Sequence, residues 1–527
     1  MDAYDVIAVG SGHNALVAAA LLAKAGNRVL VLERNDRPGG FLRTEEVTLP
    51  GFKHDLYATR HPLFLSSRAY NELEADLRAR GLEYLNTDLP TGVLLPDGSS
   101  GILSRDLEAS AAEFDRLSPG DGQALTDLMA EFGTYANKIF PLFSLDLASR
   151  QAQMLVRELM TSGKGGFAPF AAEFMQTARD VLNERFRSPI VKTMIAPWLP
   201  HAGQTVDSAN SGFSVSLLLA TFIAAGMPLL RGGSEMLIKA LVQIVTDHGG
   251  TIQCDAQVDR ILVERGRAVG VRVKGGDTYT VGRAVIASVN ADQLYLKLLA
   301  DADVPRALTE QAKRYRYGLG CVQIQLALSE PPHWPDDRLQ HVGRPHLLRS
   351  MEDCALAITQ AMNGLLPSEP AMSVDVPTQL DLSRAPHSRA IMCVQVLQLP
   401  CCPTADAAGE IEVRNEAWTE GLKNRFADRI VKLLGRYLPN MPGAILGRHI
   451  ISPQDLARYN PNSGPGDPYA GSLELAHNYL FRPLPSQPSH QTCVPNIFLV
   501  GAGTWPGAGV NGSSGYIVAQ QLLTSAV

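Results

Sequence analysis

The sequence lacks the cysteine patterns of disulfide-stapled and metal-binding proteins. Its seven cysteines are odd in number and scattered, and the adjacent pair Cys401-Cys402 does not have the spacing of a metal-ligand motif. We therefore expect reduced, mostly buried thiols of an intracellular protein. No metal site is predicted.

Long apolar runs and a strong excess of one charge are also missing. The longest apolar run, Val215 to Leu230, contains Gly226 and Pro228 and is too short to span a membrane. It predicts a buried segment or, alternatively, a lipid-facing entrance to a substrate channel. No secretion signal precedes the first predicted strand, which starts at Tyr4. A net charge of −6 gives no reason to expect nucleic-acid binding.

We expect a cytoplasmic protein, with peripheral membrane contact and the choice between monomer and homodimer left open. At 527 residues the chain is too long for one compact core, so two or more domains are expected. A hydrophobic content of 45% with 19% charged residues is ordinary for a globular protein.

The first forty residues have the pattern of a dinucleotide-binding unit. A strand at Val6-Ile-Ala-Val is followed by a glycine turn and an apolar helix pattern from Leu16. Gly10 permits the tight turn, and Gly12 lets the backbone approach a pyrophosphate, which the helix N-terminus also attracts. The predicted contacts in this turn are Gly10, Gly12, His13, Asn14 and Ala15.

A second strand, Arg28 to Leu32, ends in Glu33 about 20 residues after the glycines. That position predicts contact with the adenosine ribose hydroxyls and argues against NADP. Pro38-Gly39-Gly40 follows, as an elongated FAD that passes close to the backbone would require. We expect phosphate or ribitol contacts from Arg34, Arg43 and Thr44; the alternative for the two arginines is a solvated surface charge.

The C-terminal segment Gly501–Gly515 predicts the other half of the same site. It lies between a strand, Asn496 to Val500, and a helix over residues 513–523. A helix that begins near Asn511 would direct free N–H groups at the pyrimidine edge of a flavin. The contacts predicted here are Gly503, Gly509, Val510 and Asn511, so both chain ends bind one FAD.

The sequence resembles the phytoene desaturase and carotenoid isomerase-like FAD oxidoreductases of the flavin amine oxidase superfamily. The motifs that carry the resemblance are Gly10-Ser-Gly-His-Asn-Ala-Leu-Val-Ala-Ala, Glu33-Arg with Pro38-Gly-Gly, Gly51-Phe-Lys-His-Asp55, Leu230-Arg-Gly-Gly-Ser234, Val258 to Ile261 with Gly270-Val-Arg-Val, Ala284-Val-Ile-Ala-Ser288, Asp381 with Ala385-Pro386, and Gly501–Gly515. Trp505 and Asn511 depart from the residues common in relatives, which makes the substrate the least predictable feature.

The resemblance implies an α/β fold in which a Rossmann-type FAD-binding domain (glutathione reductase-like or amine oxidase-like) carries an inserted substrate domain with a mixed sheet and a helical portion. We expect residues 1–70, 226–300 and 486–527 in the FAD-binding domain, and 71–225 and 301–485 in the substrate domain. By the same resemblance, the backbone of Val258 would meet the adenine.

The middle of the chain shows helical and then strand periodicity. Helices are predicted over 107–116, 122–140, 148–160 and 410–437, and strands over 321–328 and 391–397.

Flavin dehydrogenation needs little acid–base chemistry from the protein. The candidate catalytic residues are Tyr57, His61, Trp505 and Asn511, with Arg60 as a further polar candidate. The first functional hypothesis is desaturation or flavin-assisted isomerisation of an apolar, unsaturated or lipid-like small molecule. The alternatives are an amine or amino-acid oxidase, with Trp505 and Tyr57 as an aromatic cage, and a non-catalytic flavoprotein that acts as a binding module.

Overall fold

The computed structural model describes residues 3–162, 167–414 and 417–524. Its strands, in chain order, are β1 (Ala3–Val9), β2 (Val29–Leu32), β3 (Thr44–Glu45), β4 (His54–Asp55), β5 (Tyr84–Leu85), β6 (Leu89–Leu94), β7 (Ser100–Leu103), β8 (Leu229–Leu230), β9 (Thr251–Gln253), β10 (Val258–Glu264), β11 (Arg267–Val273), β12 (Thr278–Ala287), β13 (Gly320–Leu328), β14 (Val342–Leu347), β15 (Leu365–Leu366), β16 (Met372–Asp375), β17 (Ala390–Leu399), β18 (Ala405–Asp406), β19 (Ile445–Ile451) and β20 (Ile497–Leu499).

The helices pack on both faces of two large sheets. In chain order they are α1 (His13–Lys24), α2 (Pro62–Leu65), α3 (Arg68–Ala79), α4 (Leu107–Leu117), α5 (Asp121–Leu142), α6 (Arg150–Ser162), α7 (Phe167–Met175), α8 (Ala178–Arg185), α9 (Pro189–Ile195), α10 (Ser211–Ala225), α11 (Glu235–Asp247), α12 (Ala291–Gln293), α13 (Arg306–Lys313), α14 (Met351–Met362), α15 (Glu420–Tyr437), α16 (Met441–Ala444), α17 (Pro453–Tyr459) and α18 (Ser513–Thr524).

The first sheet has a parallel centre in the order β20-β12-β1-β2-β9. An antiparallel extension, β10-β11, joins the start of β12. β1 and β2 are buried along most of their length, as their near-continuous apolar sequences predict. α1, α11 and α18 cover one face and form a single apolar core with it. This α/β arrangement confirms the predicted fold class.

The second sheet is mixed, in the order β19-β13-β17-β16-β14-β6-β7. One face of β13 carries Val322, Ile324, Leu326 and Leu328, which pack in a common apolar core with α15. The opposite face carries Gln323 and Gln325, whose amides donate to the carbonyl oxygens of Tyr57 and Asp55 at 3.1 and 3.0 Å. The alternation of β13 therefore directs its polar face at the loop that follows the first sheet's glycine motifs.

The predicted central elements are present with shifted ends. The helix expected from residue 410 begins at Glu420 instead, because Thr419 caps it and the amides of Glu410 and Ile411 donate to Asp406. The apolar run from Val215 begins within α10, where Val215, Leu219 and Phe222 are buried; the helix ends at Ala225 and is capped by Gly226, a glycine with a φ of +68°. Within the described ranges, no helix combines the length and apolar character needed to cross a membrane.

Candidate active site

The turn after β1 is built as a phosphate-binding turn. Gly10 has a φ of +92°, which favours glycine, and Gly12 caps α1 without any side-chain hydrogen bond to the first-turn amides. Those amides are therefore available to an anion at the helix N-terminus. Gly39 bridges to Gly12 as a parallel backbone pair, and a Cβ at Gly40 would lie 3.4 Å from the Cα of Gly12. The two glycine motifs thus form one crowded backbone surface.

Glu33 lies at the end of β2 and is 5% exposed. One carboxylate oxygen accepts hydrogen bonds from the amide (3.0 Å) and the hydroxyl (2.5 Å) of Ser11, and the other accepts from the amide of Asn35 at 2.9 Å. Val258 starts β10 two residues after Ala256, whose amide donates to the carbonyl oxygen of Glu33. Glu33 and Val258 therefore lie together at one end of the glycine turn.

We expect Glu33→Gln to lower FAD affinity about tenfold while the fold is retained. Glutamine has the same shape, but its NH2 group would face the donors on Ser11, and one charged acceptor for the ribose hydroxyls is lost. The measurement is the FAD dissociation constant from flavin fluorescence quenching. The exposed neighbour Asp36, changed to Asn, is the control; equal affinity for Glu33→Gln and the parent protein would contradict a ribose role for Glu33.

The C-terminal helix closes directly on the first helix. A Cβ at Gly515 would lie 1.8 Å from the carbonyl oxygen of Asn14, so glycine alone permits this crossing of α18 over α1. The side-chain Oδ1 of Asn14 is buried without a hydrogen-bond partner among the described residues. Burial lowers the pKa of His13 to about 4, partly offset by a backbone hydrogen bond to Gly509. The predicted front and back segments are therefore brought together.

The turn between β20 and α18 is held by its own side chains. Ser514 accepts from the amide of Gly501 at 3.0 Å and pairs with the hydroxyl of Thr504 at 2.7 Å. Asn511 accepts from the amide of Ser513 at 2.9 Å and so caps α18, while its NH2 group contacts the carbonyl oxygens of Gly507 and Gly509. The side chain of Asn511 thus fixes the start of the helix. Gly503 and Val510 lie in the same turn.

A buried ionic cluster, which sequence reasoning did not predict, joins three of the family motifs. Arg384 is fully buried and donates to Asp55 at 2.6 Å, to Asp381 at 3.1 Å and to the carbonyl oxygen of Leu230 at 2.6 Å. Asp55 also accepts from Ser234 and from Thr44, whose hydroxyl is 2.6 Å away. The hydroxyl of Thr44, which was predicted to contact the cofactor, is thus hydrogen-bonded to Asp55 within the ionic cluster.

The pKa of Asp381 is lowered within this cluster. Burial opposes the shift, but the hydrogen bonds from Ser383 and the amide of Gly232, together with the charge of Arg384, outweigh it. The motifs at 51–55, 230–234 and 381–386 are therefore linked by one buried set of ion pairs and hydrogen bonds around Arg384.

Tyr57 lies in a group of three aromatic rings. Its ring centroid is 5.2 Å from that of Tyr459, with an angle of 21°, and 4.7 Å from that of Phe41. Tyr459 donates to the carbonyl oxygen of Gly40 at 2.9 Å, which places the group beside the glycine turn. Arg43 lies over the Tyr459 ring and pairs with Glu45. Burial raises the pKa of Tyr57, so its phenol stays protonated at neutral pH. Arg34 is exposed.

His61 is fully buried and electrically neutral. Its Nδ1 is 3.2 Å from the hydroxyl of Tyr84, and its Nε2 has no hydrogen-bond partner within the described residues. Burial lowers the pKa of His61 to about 3, with a small opposing contribution from Asp55. His61 therefore offers an uncharged polar atom, not a proton donor of the imidazolium type.

Trp505 belongs to a different cluster from Tyr57. Its ring is 5.3 Å from Phe143 and 5.8 Å from Tyr479, and its indole N–H donates to the carbonyl oxygen of Leu142 at 2.9 Å. Among the described residues, no ring contact joins Trp505 to Tyr57. The two side chains therefore pack in separate apolar clusters.

An ion pair between Asp146 and His490 holds the Trp505 turn. Nδ1 of His490 is 3.2 Å from the Asp146 carboxylate, and Nε2 is 2.9 Å from the carbonyl oxygen of Trp505. Both neighbours are acceptors, so both ring nitrogens of His490 donate. Despite burial, the hydrogen bond and charge of His490, with backbone amides, hold the pKa of Asp146 well below its usual range.

We expect Asp146→Asn to lower the free energy of unfolding by about 3 kcal/mol at pH 7, because His490 loses its buried carboxylate partner. A lowered carboxyl pKa stabilises the fold above its unfolded value and loses this effect as the pH falls through the folded pKa. The difference between parent and variant should therefore shrink below roughly pH 4. Urea titrations across pH measure it, with the exposed Asp127→Asn as control. A difference that does not change with pH would contradict the ion pair.

Arg60 is committed to a second buried ionic cluster. It makes three hydrogen bonds of 2.8 to 3.2 Å to Asp375 and one of 2.8 Å to the carbonyl oxygen of Met227. Arg344 donates to the same carboxylate at 2.8 Å. Two arginines thus share one aspartate beside the polar face of the second sheet. Among the described residues, no cluster of His, Cys, Asp and Glu is arranged to hold a metal ion.

The residues at the chain ends fit an elongated dinucleotide such as the predicted FAD. The first-turn amides of α1 have no side-chain cap, Glu33 is buried at the end of β2, and the buried Asn14 Oδ1 and His61 Nε2 have no partner in the described part of the chain. Backbone amides, a carboxylate and buried polar side-chain atoms could all bind a dinucleotide along this surface.

Comparison with known proteins agrees with this geometry. Residues 16–370 match the family model for flavin-containing amine oxidoreductases. The chain is 27% identical to a rat protein described as pyridine nucleotide-disulfide oxidoreductase domain-containing protein 2, over 97% of this chain and 92% of the rat protein. It is 24% identical to a limonene dehydrogenase subunit of Castellaniella defragrans (98% and 94% covered) and 25% identical to a neurosporene-forming phytoene desaturase of Cereibacter sphaeroides (98% and 93%).

A solved structure shares the fold. The crystal structure of an oxidoreductase from Methanosarcina mazei superposes with a TM-score of 0.63 at 16% identity, covering 99% of this chain and all of that one.

Proposed function

Because this chain belongs to the flavin-containing amine oxidoreductase family and has FAD as its cofactor, we propose that it desaturates or isomerises carbon–carbon bonds of an apolar, unsaturated or lipid-like small molecule. The observation that carries the proposal is the full-length similarity to a limonene dehydrogenase subunit and a phytoene desaturase. Both names refer to dehydrogenation of apolar molecules.

The chemistry of the site supports this class of reaction. Bound FAD supplies the hydride acceptor for such a dehydrogenation. His61 is neutral and Tyr57 is protonated at neutral pH, so neither supplies a charged acid or base. We assign to these residues, and to Trp505 and Asn511, the positioning of the substrate and the exclusion of water.

We further propose that the cofactor is held by the predicted glycine turns, Glu33 and the start of α18, within an FAD-binding domain of residues 1–70, 226–300 and 486–527. Residues 71–225 and 301–485 would then form the substrate domain. The first sheet draws its strands from 3–32, 251–287 and 497–499, which supports these boundaries.

Amine oxidation is the second candidate, and the aromatic group beside Gly40 is the observation that bears on it. A cation needs access to a ring face. The rings of Tyr57 and Tyr459 stack on each other at 5.2 Å, so they leave no slot for an ammonium group between them. This favours the apolar substrate.

Anaerobic flavin bleaching separates the candidates. We expect reduction of the flavin absorbance band by unsaturated or saturated isoprenoids and none by apolar primary amines. Reduction by amines alone would overturn the proposal in favour of an oxidase. Reduction by dithionite only, with no isomerisation of the same isoprenoids, would favour the non-catalytic alternative.

We also propose peripheral contact with a lipid bilayer through the exposed apolar side chains of α6 and α7. No side chain of α7 is buried, and Met154, Phe167 and Met175 are each more than half exposed. Other residues of these two helices pack in the same apolar cluster as Trp505. Co-sedimentation with phosphatidylcholine vesicles should fall for Phe167→Ser with Met175→Ser. It should not fall for Leu382→Ser, whose leucine is exposed elsewhere.

A further inference from the structure

A cavity lies between α14, the segment 197–201 and the strands β16 and β17 of the second sheet. It has about 360 Å³ of space between atoms, part of it open to solvent. Pro197, Ile358 and Leu397 are among its apolar walls, and His201, His346 and Ser373 form a polar end.

Two buried polar atoms at this end have no partner among the described residues. They are Nδ1 of His346 and Oγ of Ser373, in side chains that are 1% and 4% exposed. The two residues are direct cross-strand neighbours of β14 and β16. An unpaired buried donor or acceptor is costly, and native structures contain few of them. Both atoms therefore need hydrogen-bond partners from outside the described residues.

The ionisable side chains that line the polar end are uncharged at neutral pH. Burial, followed by the charge of Arg344, lowers the pKa of His346 to about 3, and burial holds the pKa of His201 far below its usual range. Burial also raises the pKa of the lining thiol of Cys354 to about 12. Arg344 itself is shared between Asp375 and Gln395.

The imidazole pair defines which ligand atom fits. Nε2 of His201 and Nε2 of His346 are 3.1 Å apart, so one neutral ring donates to the other. When His201 donates, Nδ1 of His346 carries a proton and points to an acceptor; when His346 donates, its Nδ1 is an acceptor, which a ligand hydroxyl satisfies. The Ser373 hydroxyl needs an acceptor as well. One oxygen atom with two lone pairs can accept both hydrogen bonds.

We propose that this cavity binds the oxygenated end of the substrate, a hydroxyl, carbonyl or carboxylate oxygen at the end of an otherwise apolar chain. This inference rests on the proposed function and narrows its substrate class. A pure hydrocarbon would leave both polar atoms unpaired, and sites built to hydrogen-bond a substrate group reject analogues without it. Leu397 of the cavity wall packs against the same apolar cluster as Tyr57 and Phe41, which connects the wall to the aromatic group beside the glycine turn.

The test compares binding of decane, 1-decanol and decanoate to the FAD-loaded full chain. Trp198 reports on the cavity, because its ring lies 4.6 Å from His201 and 4.8 Å from His346, and Trp198→Phe identifies its share of the fluorescence. We expect the oxygenated probes to bind about tenfold or more tightly than decane. The alcohol and acid arms show which oxygen function is preferred.

Ser373→Ala and His346→Leu should each remove most of this preference and leave decane binding unchanged or stronger. Cys354→Ala is the matched control, since it alters the wall without removing a hydrogen bond at the polar end, and should keep the preference. Equal binding of the three probes, or a preference that survives both variants, would overturn the inference.

The two proposals fail separately. If hydrocarbons reduce the flavin and the three probes bind equally, the proposed function stands and the inference of an oxygenated substrate is contradicted. If oxygenated probes bind more tightly but no compound reduces the flavin, the cavity's preference stands and the proposed function is contradicted.

Discussion

Replacing Arg384 with methionine is expected to destabilise the protein by about 3–5 kcal/mol and to abolish retention of the flavin. The guanidinium is the only cation in its cluster of described residues, and its loss leaves Asp55 and Asp381 as buried carboxylates without a counter-charge. The same change removes the hydrogen bond from Arg384 to the carbonyl oxygen of Leu230. Urea unfolding and the flavin-to-protein absorbance ratio after purification measure the two effects.

Arg231→Met is the matched control, because Arg231 lies next to Leu230 and pairs with Glu83 at the surface, where both side chains are about half exposed. Little change is expected there. Combining Arg384→Met with Asp55→Asn should recover part of the stability, since one of the two uncompensated charges is removed. A fully stable Arg384→Met protein would contradict the electrostatic role of the cluster.

Changing Gly515 to alanine is expected to separate α18 from α1 and to prevent stable FAD binding. The new methyl group would overlap the carbonyl oxygen of Asn14, which belongs to the backbone and has no flexible end to move. We expect a loss of about 3 kcal/mol or more, at the upper end of what overpacked cores show. Thermal unfolding with and without added FAD would measure it.

The same substitution at Gly133 provides the contrast. Gly133 lies in α5, is exposed, and has no atom within 4 Å of a Cβ placed there. Alanine should stabilise that helix by about 0.5–1 kcal/mol. If both variants had the same stability, glycine at position 515 would not be required for the close crossing of α18 over α1.

Local patterns predicted the start of the fold well. The strand, glycine turn, helix and acid at residues 6–33 are consecutive, and each depends on neighbours along the chain, so spacing alone indicates them. The strand and helix at 497–524 are predictable for the same reason. Amphipathic periodicity also located β13 and β17 to within two residues at either end.

Contacts between distant residues were not predictable. Asp55 and Arg384 are 329 positions apart, and nothing in either motif specifies the other as its partner. Tyr459 likewise contacts Gly40, and His490 contacts Asp146; both partners are far away in sequence. The contact of Thr44 with Asp55 could not be distinguished from a cofactor contact, because a threonine hydroxyl suits both.

The position of β1 in the middle of the first sheet has a consequence for biosynthesis. Its neighbours β2 and β12 flank it, while β9, β12 and β20 are translated long after residues 3–32 have left the ribosome. At ordinary elongation rates this delay is on the order of ten seconds or more before β9 emerges. Nascent chains will expose these apolar strands throughout that interval, so chaperone occupancy should be high until β20 and α18 are synthesised.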